Sequence, residues 1–205
     1  MKVKDESITE KLLLCAKAEF LECGFAESSM RTIAERAGVT TGMLYSRFAD
    51  KSEIFRELVK GPAEELYNFF VGVQEEFAGY PPEYQRREMH PYVARKIDRT
   101  VDIIYDNFDA FKLIICKSGG TSYEYYVDKM IDVETQSTFR FIDAVRAAGY
   151  VIADIRKDLA HMLASAMFNG MFEVVMHDLS REDARQYILK LQEFFNAGWD
   201  KLLGL

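Results

Sequence analysis

The stretch SMRTIAERAGVTTGMLYSRFADK, residues 29–51, decides the fold. Met30, Ile33, Ala34 and Ala37 recur at three- and four-residue spacing, which puts them on one face of a short helix. Ser29 stands where its hydroxyl can accept from the first free N–H groups. Gly38 supplies the left-handed conformation that ends a helix without a Cβ clash, and Val39 adds an apolar contact beyond it. Thr40 then caps a second helix, read as Thr41 to Phe48. With only three residues between them, the two helices cross steeply, and the second projects from the surface.

On that second helix Leu44 and Phe48 lie four apart and face inward, leaving Thr41, Gly42, Met43, Tyr45, Ser46 and Arg47 outside. Short hydroxyls and a glycine let a helix approach a DNA groove closely. Met43 can meet a thymine methyl, and Tyr45, Ser46 and Arg47 offer donors to phosphates or base edges. Ser29, Arg31 and Thr40 flank this surface and join the expected DNA-binding set. Asp50 to Glu53 reads as a capping box for the next helix, whose N-terminal amides, with Lys51, form an expected second phosphate point. A pair of ordinary core helices would account for Ile33, Ala34, Leu44 and Phe48. It would not account for Gly42, which costs about 1 kcal/mol relative to alanine inside a helix.

Residues 8–60 resemble the DNA-binding domain of TetR-family (tetracycline-repressor-like) transcriptional regulators. The resemblance rests on Ala16, Phe20 and Gly24-Phe25 closing the first helix, Ile33-Ala34 with Ala37-Gly38-Val39, Gly42 with Leu44-Tyr45, and Phe48 with Lys51. Arg47 departs from the His or Tyr that the family often carries before the phenylalanine. The motifs cover about a quarter of the chain; the rest agrees in length and helical character.

The chain has 205 residues, enough for one large or two small domains, and is 49% apolar, enough for a substantial core. No basic-then-apolar leader opens it, and the apolar run Met162 to Met176 reads as too short to cross a bilayer. A soluble, cytoplasmic protein with no membrane partner is expected. Cys15, Cys23 and Cys116 are widely spaced, as suits reduced structural thiols, with redox sensing by Cys116 a lesser alternative. Residues 1–60 hold ten Lys/Arg and ten Asp/Glu, so the whole formal charge of −7 falls on residues 61–205. A neutral head with a modestly basic reading face can bind a duplex while an acidic body discourages DNA elsewhere.

In chain order, Ser7 to Glu10 reads as a capping box opening a helix through Ile8, Leu12, Ala16 and Phe20 to Gly24. Gly61-Pro62 marks a kink or junction after the fourth helix. A stripe from Leu66 to Phe77 ends in the loop 79–82, and a helix is expected to begin near Pro91. A shorter helix spans about Asp109 to Lys117. Thr121 to Glu124 is read as capping a long helix to Ala148, closed by Gly149 and Tyr150. The last two helices, roughly 155–178 and 181–203, are apolar on more than one face. The second face implies a partner, most simply another copy of the chain, and the resemblance implies the same pairing.

The expected architecture is all-α with about nine helices. A helix-turn-helix domain occupies 1–50, a fourth helix over 51–60 acts as linker, and residues 61–205 form a ligand-binding and dimerisation body. The body's aromatics and methionines are mostly core, but soft and hydroxylated side chains also suit an adaptable pocket. The resemblance implies a small-molecule inducer there, with Tyr105, Phe108, Phe111, Tyr126, Met130, Phe141, Met167, Phe168 and Phe172 as candidate lining. Ser118 to Thr121 lacks the preceding strand and the lysine of a phosphate-binding loop. His90, His161 and His177 lack ligand-like neighbours beyond Asp158, so no metal is expected, and no catalytic constellation or cofactor fingerprint is found. The reading is a ligand-responsive repressor that binds an inverted-repeat DNA operator as a homodimer and is released by an inducer; it is not an enzyme. The alternatives are a helical interaction module or a small-molecule binding protein without DNA binding.

Overall fold

A computed structural model describes residues 2–205, with side chains from Ser7 onward. The described residues form nine helices and no strand. The chain divides into two compact units, Met1–Glu64 with Asn107–Tyr126, and Glu65–Asp106 with Val127–Leu205.

Unit one contains α1 (Lys2–Glu27), α2 (Met30–Ala37), α3 (Thr41–Tyr45), the first half of α4 (Lys51–Ala78) and α6 (Phe108–Cys116). Helix α1 begins before the expected capping box, so Ser7 lies inside it. Leu12, Ala16 and Phe20 are its fully buried stripe. Gly24, at φ 81° and ψ 167°, breaks α1 and turns Phe25 back into the core. There Phe20, Phe25 and Phe55 pack with ring centroids 5.3–5.9 Å apart. The Phe25 N–H donates to the Lys117 carbonyl at 3.0 Å, which ties the end of α6 into this unit.

The two caps of α2 take the expected form. Ser29 Oγ accepts from Thr32 N, and Gly38 sits at φ 64°, its N–H directed to the Ala34 and Glu35 carbonyls. Helix α3 is shorter than the sequence reading: it ends at Tyr45, and Ser46 to Phe48 form a turn in which the Arg47 and Phe48 N–H groups donate to Leu44 O. Phe48 is nonetheless buried, because the turn carries it inward as a continued helix would.

Helix α4 does not end near residue 60: it runs without interruption through Pro62, and the two units divide just beyond that proline, between Glu64 and Glu65. Proline removes the bond to the carbonyl four residues back, at a cost of about 3 kcal/mol in a helix interior. Burial on both sides offsets that loss: Val59, Ala63 and Leu66 are in the core, and the Tyr126 hydroxyl donates to Ala63 O at 2.9 Å. Likewise α5 (Pro82–Asp106) starts at Pro82 and passes through Pro91. A first-turn proline has no donor to lose. Buried Gln85 fixes the entry by donating to Ala78 O and Tyr80 O. Thr121 to Glu124 does not cap a long helix either. Thr121 Oγ1 accepts from Tyr123 N, and the Glu124 carboxylate accepts from Gly120 N, which closes a separate turn. Helix α7 (Tyr126–Ala147) starts after it.

Unit two packs the second half of α4 with α5, α7, α8 (Lys157–Met176) and α9 (Arg181–Leu203). Gly170 of α8 lies where an added Cβ would stand 3.2 Å from Leu191, so the two helices approach closely. Arg185 pairs with Asp98 at 2.7 Å and Arg181 with Asp106 at 2.5 Å, pinning α9 to α5. At 20 residues α8 is long and apolar enough to cross a bilayer, contrary to the sequence reading. Its Ala160, Ala164, Phe168, Phe172, Val174 and Val175 are instead buried in unit two.

Because Gly38 is held in the left-handed region, Gly38→Ala is expected to destabilise unit one by about 1–2 kcal/mol. Urea denaturation followed by circular dichroism measures this, and unchanged stability would contradict the assigned cap.

Candidate functional site

The reading face is built by α2, the turn 38–40 and α3. Leu44 anchors α3 to the core, which leaves Thr41, Gly42, Met43 and Tyr45 exposed, Tyr45 at 55%. A Cβ at Gly42 would meet only Thr40 Oγ1, at 3.9 Å. Nothing inside the protein requires glycine there, although glycine weakens a helix. Thr40 and Ser29 serve as N-caps, Thr40 Oγ1 accepting from Met43 N at 3.2 Å.

Ser46 and Arg47 are placed differently from the expected outward donors. The Ser46 hydroxyl donates to Met43 O at 2.7 Å and Arg47 Nη1 to the same carbonyl at 3.3 Å. Both therefore satisfy the carbonyl end of α3, which has no further helical turn to do so. Arg31, on the exposed side of α2, pairs with Glu35 at 2.8 Å.

Lys51 departs furthest from the sequence reading. Its ammonium donates to the carbonyls of Phe25, Ala26 and Ser28 at 2.7, 3.0 and 3.0 Å and lies 4.5 Å from the Phe25 ring centroid. An ammonium has three N–H donors, and all three are engaged here, so none is left for a phosphate. Lys51 is a clamp between the start of α4 and the segment that leads into α2. The start of α4 is also acid-capped: Glu53 N donates to Asp50 Oδ1, and Ala49 N donates to Glu53 Oε2. Two carboxylates occupy the expected second phosphate point.

Unit two holds a cavity of about 180 Å³, roughly ten times what one water needs. Of the expected lining residues, Met130, Phe141, Met167 and Phe168 face it. The others do not. Phe108, Phe111 and Tyr126 belong to unit one. The Tyr105 hydroxyl donates to Leu179 O at 2.8 Å, and Phe172 is fully buried core. The sequence reading missed the α4 wall, from Leu66 through Phe69, Phe70, Val73 and Gln74 to Phe77, because its apolar stripe looks like any core stripe. It also missed Glu134 of α7, which lines the cavity beside that wall and whose Oε2 accepts from Gln74 Nε2 at 2.7 Å. Burial pushes the Glu134 carboxyl up from 4.5 to about 7, while the Gln74 amide opposes the shift by favouring the ionised form. Among the described residues no group of three His, Cys, Asp or Glu could hold a metal; His161 lies 4.0 Å from Asp132, while Asp158 pairs with Arg156.

The described residues thus combine a helix-turn-helix face, a surface of the kind that can enter a DNA groove, with a lined cavity in a second helical unit. Residues 12–58 match the family described as bacterial regulatory proteins, tetR family. The transcriptional repressor BepR of Brucella suis is 42% identical over 60 residues, 28% of this chain and 29% of that protein. The repressor KstR2 of Mycobacterium tuberculosis is 40% identical over 57 residues, 28% of each chain. The match thus spans under a third of these relatives' length. Beyond the head, likeness is one of fold. NalD, the secondary repressor of the MexAB-OprM multidrug efflux pump in Pseudomonas aeruginosa, superposes with a TM-score of 0.59 at 16% identity over 94% of this chain and 96% of its own. SCO3833 of Streptomyces coelicolor gives 0.59 at 19% identity over 90% and 88%. The match to the TetR family is confined to residues 12–58 of this chain.

Two outcomes are expected. Lys51→Ala should destabilise the protein by about 1–3 kcal/mol, the range for hydrogen bonds from a charged group, measured by chemical denaturation; a neutral effect would deny the clamp. For Glu134 the carboxyl titrates higher in the folded than in the unfolded state, so the folded state binds more protons between about 4.5 and about 7, and stability falls as pH rises through that window. The melting temperature of Glu134→Gln relative to wild type should therefore rise from pH 5 to pH 8, and a constant difference would contradict the burial argument.

Proposed function

We propose that the protein is a ligand-responsive repressor that reads an inverted-repeat operator as a homodimer and leaves it when a small molecule enters the cavity of unit two. The observation that carries the DNA-reading half is Gly42: a helix-weakening residue, exposed on α3, with no neighbour that its missing side chain would strike. Thr41, Gly42, Met43 and Tyr45 face base edges and phosphates in this reading. Arg31 serves as a phosphate donor once it gives up Glu35. Ser29, Thr40, Ser46 and Arg47 shape the helix ends beside the duplex. Lys51 acts by positioning rather than by contact.

The homodimer is supported by apolar side chains left exposed on the last two helices, among them Met162, Leu189, Phe194 and Leu202, with Phe194 exposed at 73%. Pairing two copies through these helices would bury what a monomer leaves in water. Two heads related by a dyad would meet half-sites about one helical turn, or a multiple of it, apart.

Coupling runs through α4. Its second half supplies Leu66, Phe69, Phe70, Val73, Gln74 and Phe77 to the cavity wall, and its first half carries Lys51, Ile54 and Phe55. A ligand that favours one setting of α4 lowers DNA affinity by the factor by which DNA lowers ligand affinity. BepR, KstR2 and NalD are repressors by name, and repression is the sign proposed here.

A gel-shift against DNA flanking the protein's own gene tests the reading. Gly42→Ala is expected to keep or raise thermal stability, by up to about 1 kcal/mol, while weakening operator binding about tenfold or more, a loss of one good base contact. Binding by wild type and Gly42→Ala alike would remove the close approach. Indifference to DNA would favour an interaction module instead. Lys51→Ala should leave the salt dependence of binding unchanged, since no phosphate contact is lost.

A further inference from the structure

The ionisable side chains on the cavity wall are His90, Tyr92, Lys96 and Glu134. Three have partners that face away from the cavity's need. His90 Nε2 lies 2.8 Å from Asp200 Oδ1. The Tyr92 hydroxyl donates to Val73 O at 3.2 Å. The Lys96 ammonium pairs with Glu76 at 3.2 Å and lies 4.8 Å from the Tyr92 ring centroid. Glu134 differs. One of its oxygens accepts from Gln74, and no cation among the described residues pairs with it. A carboxylate held in a mostly apolar wall with one oxygen open is costly unless something supplies a matching charge or donor.

The wall around it has the complementary character. Phe70, Phe77, Tyr92, Phe141 and Trp199 present ring surface, which attracts cations as well as apolar groups. An anionic ligand would meet Glu134 and would have to detach Lys96 from Glu76 to find a counter-charge. A neutral ligand would leave the Glu134 charge uncompensated. Its carboxyl, pushed up to about 7, stands where an arriving cation can complete its ionisation.

We propose that this cavity takes an apolar, aromatic-bearing ligand with a protonated nitrogen, and that the open oxygen of Glu134 is its counter-charge. The inference rests on the reading of the cavity as the effector site and specifies the chemistry of the effector. Gln74 is the positioning residue: it holds one carboxylate oxygen so that the other faces the cavity.

Trp199 lines the cavity and is the chain's single tryptophan, so its fluorescence reports occupancy. The test titrates the full-length protein, slightly above neutral pH, with three probes that share one skeleton: 4-phenylbutylamine, 4-phenylbutan-1-ol and 4-phenylbutyrate. The amine is expected to bind about tenfold tighter than the alcohol, with the butyrate weakest, tenfold being the effect of one modest charge interaction. Glu134→Gln should bring the amine down to the alcohol and leave the alcohol unchanged, and Glu134→Asp should retain the preference in sign. The wild-type ranking stands without either variant, should one fail to fold. Equal binding of amine and alcohol would overturn the inference and keep the cavity as a ligand site, as would an amine affinity untouched by Glu134→Gln. Failure of all three at millimolar concentration to alter Trp199 emission would overturn both the inference and the effector reading.

Discussion

Phe25 reaches the core of the first unit only because the chain abandons its helix one residue earlier, at Gly24, and is held there from two sides. Its backbone N–H bonds to the end of α6, and the Lys51 ammonium closes over its carbonyl and its ring. The ring then completes a cluster with Phe20 and Phe55, joining α1 to the start of α4. Everything on the reading face depends on that junction, since α2 begins five residues beyond Phe25 and α3 has only five residues of its own. A helix so short is unstable alone. It exists because Leu44 is buried, Thr40 caps one end, and Ser46 and Arg47 satisfy the other.

This use of side chains explains why a helix-turn-helix of so few residues can leave Thr41, Gly42, Met43 and Tyr45 uncommitted. Capping and clamping are done by residues at the rim, several of which could equally have served a duplex. Lys51 is the clearest case. The same ammonium chemistry that suits a phosphate suits three converging carbonyls, and the fold supplies the carbonyls at 2.7–3.0 Å.

The second unit applies a similar logic to a cavity. Aromatic and aliphatic side chains from the second half of α4, with α5, α7, α8 and α9, enclose a space that they do not fill, and ion pairs between α9 and α5 hold that wall from outside. Within it charge is matched everywhere but at Glu134. The contrast between a wall of satisfied groups and one open carboxylate oxygen gives the cavity a chemical direction as well as a volume.

Local pattern determined what local physics can determine. The periodicity of Ile33, Ala34 and Ala37, the caps at Ser29, Thr40 and Gly38, and the exposed set on α3 are set by contacts within a few residues, and the sequence carries them. The all-helical fold and the family likeness of the head follow from the same signals. Tertiary structure decided what depends on distant partners. Pro62 and Pro91 look like helix ends in sequence, yet the helices run through them because burial around Ala63 and Tyr92 outweighs a lost hydrogen bond. Phe108, Phe111 and Tyr126 read as pocket residues but pack with the first unit, while Phe70 and Glu134 read as ordinary helix positions and line the cavity. An apolar residue looks the same in sequence whether its neighbour is a side chain or a void, and a carboxylate shows its isolation only when the groups that fail to reach it are placed in space.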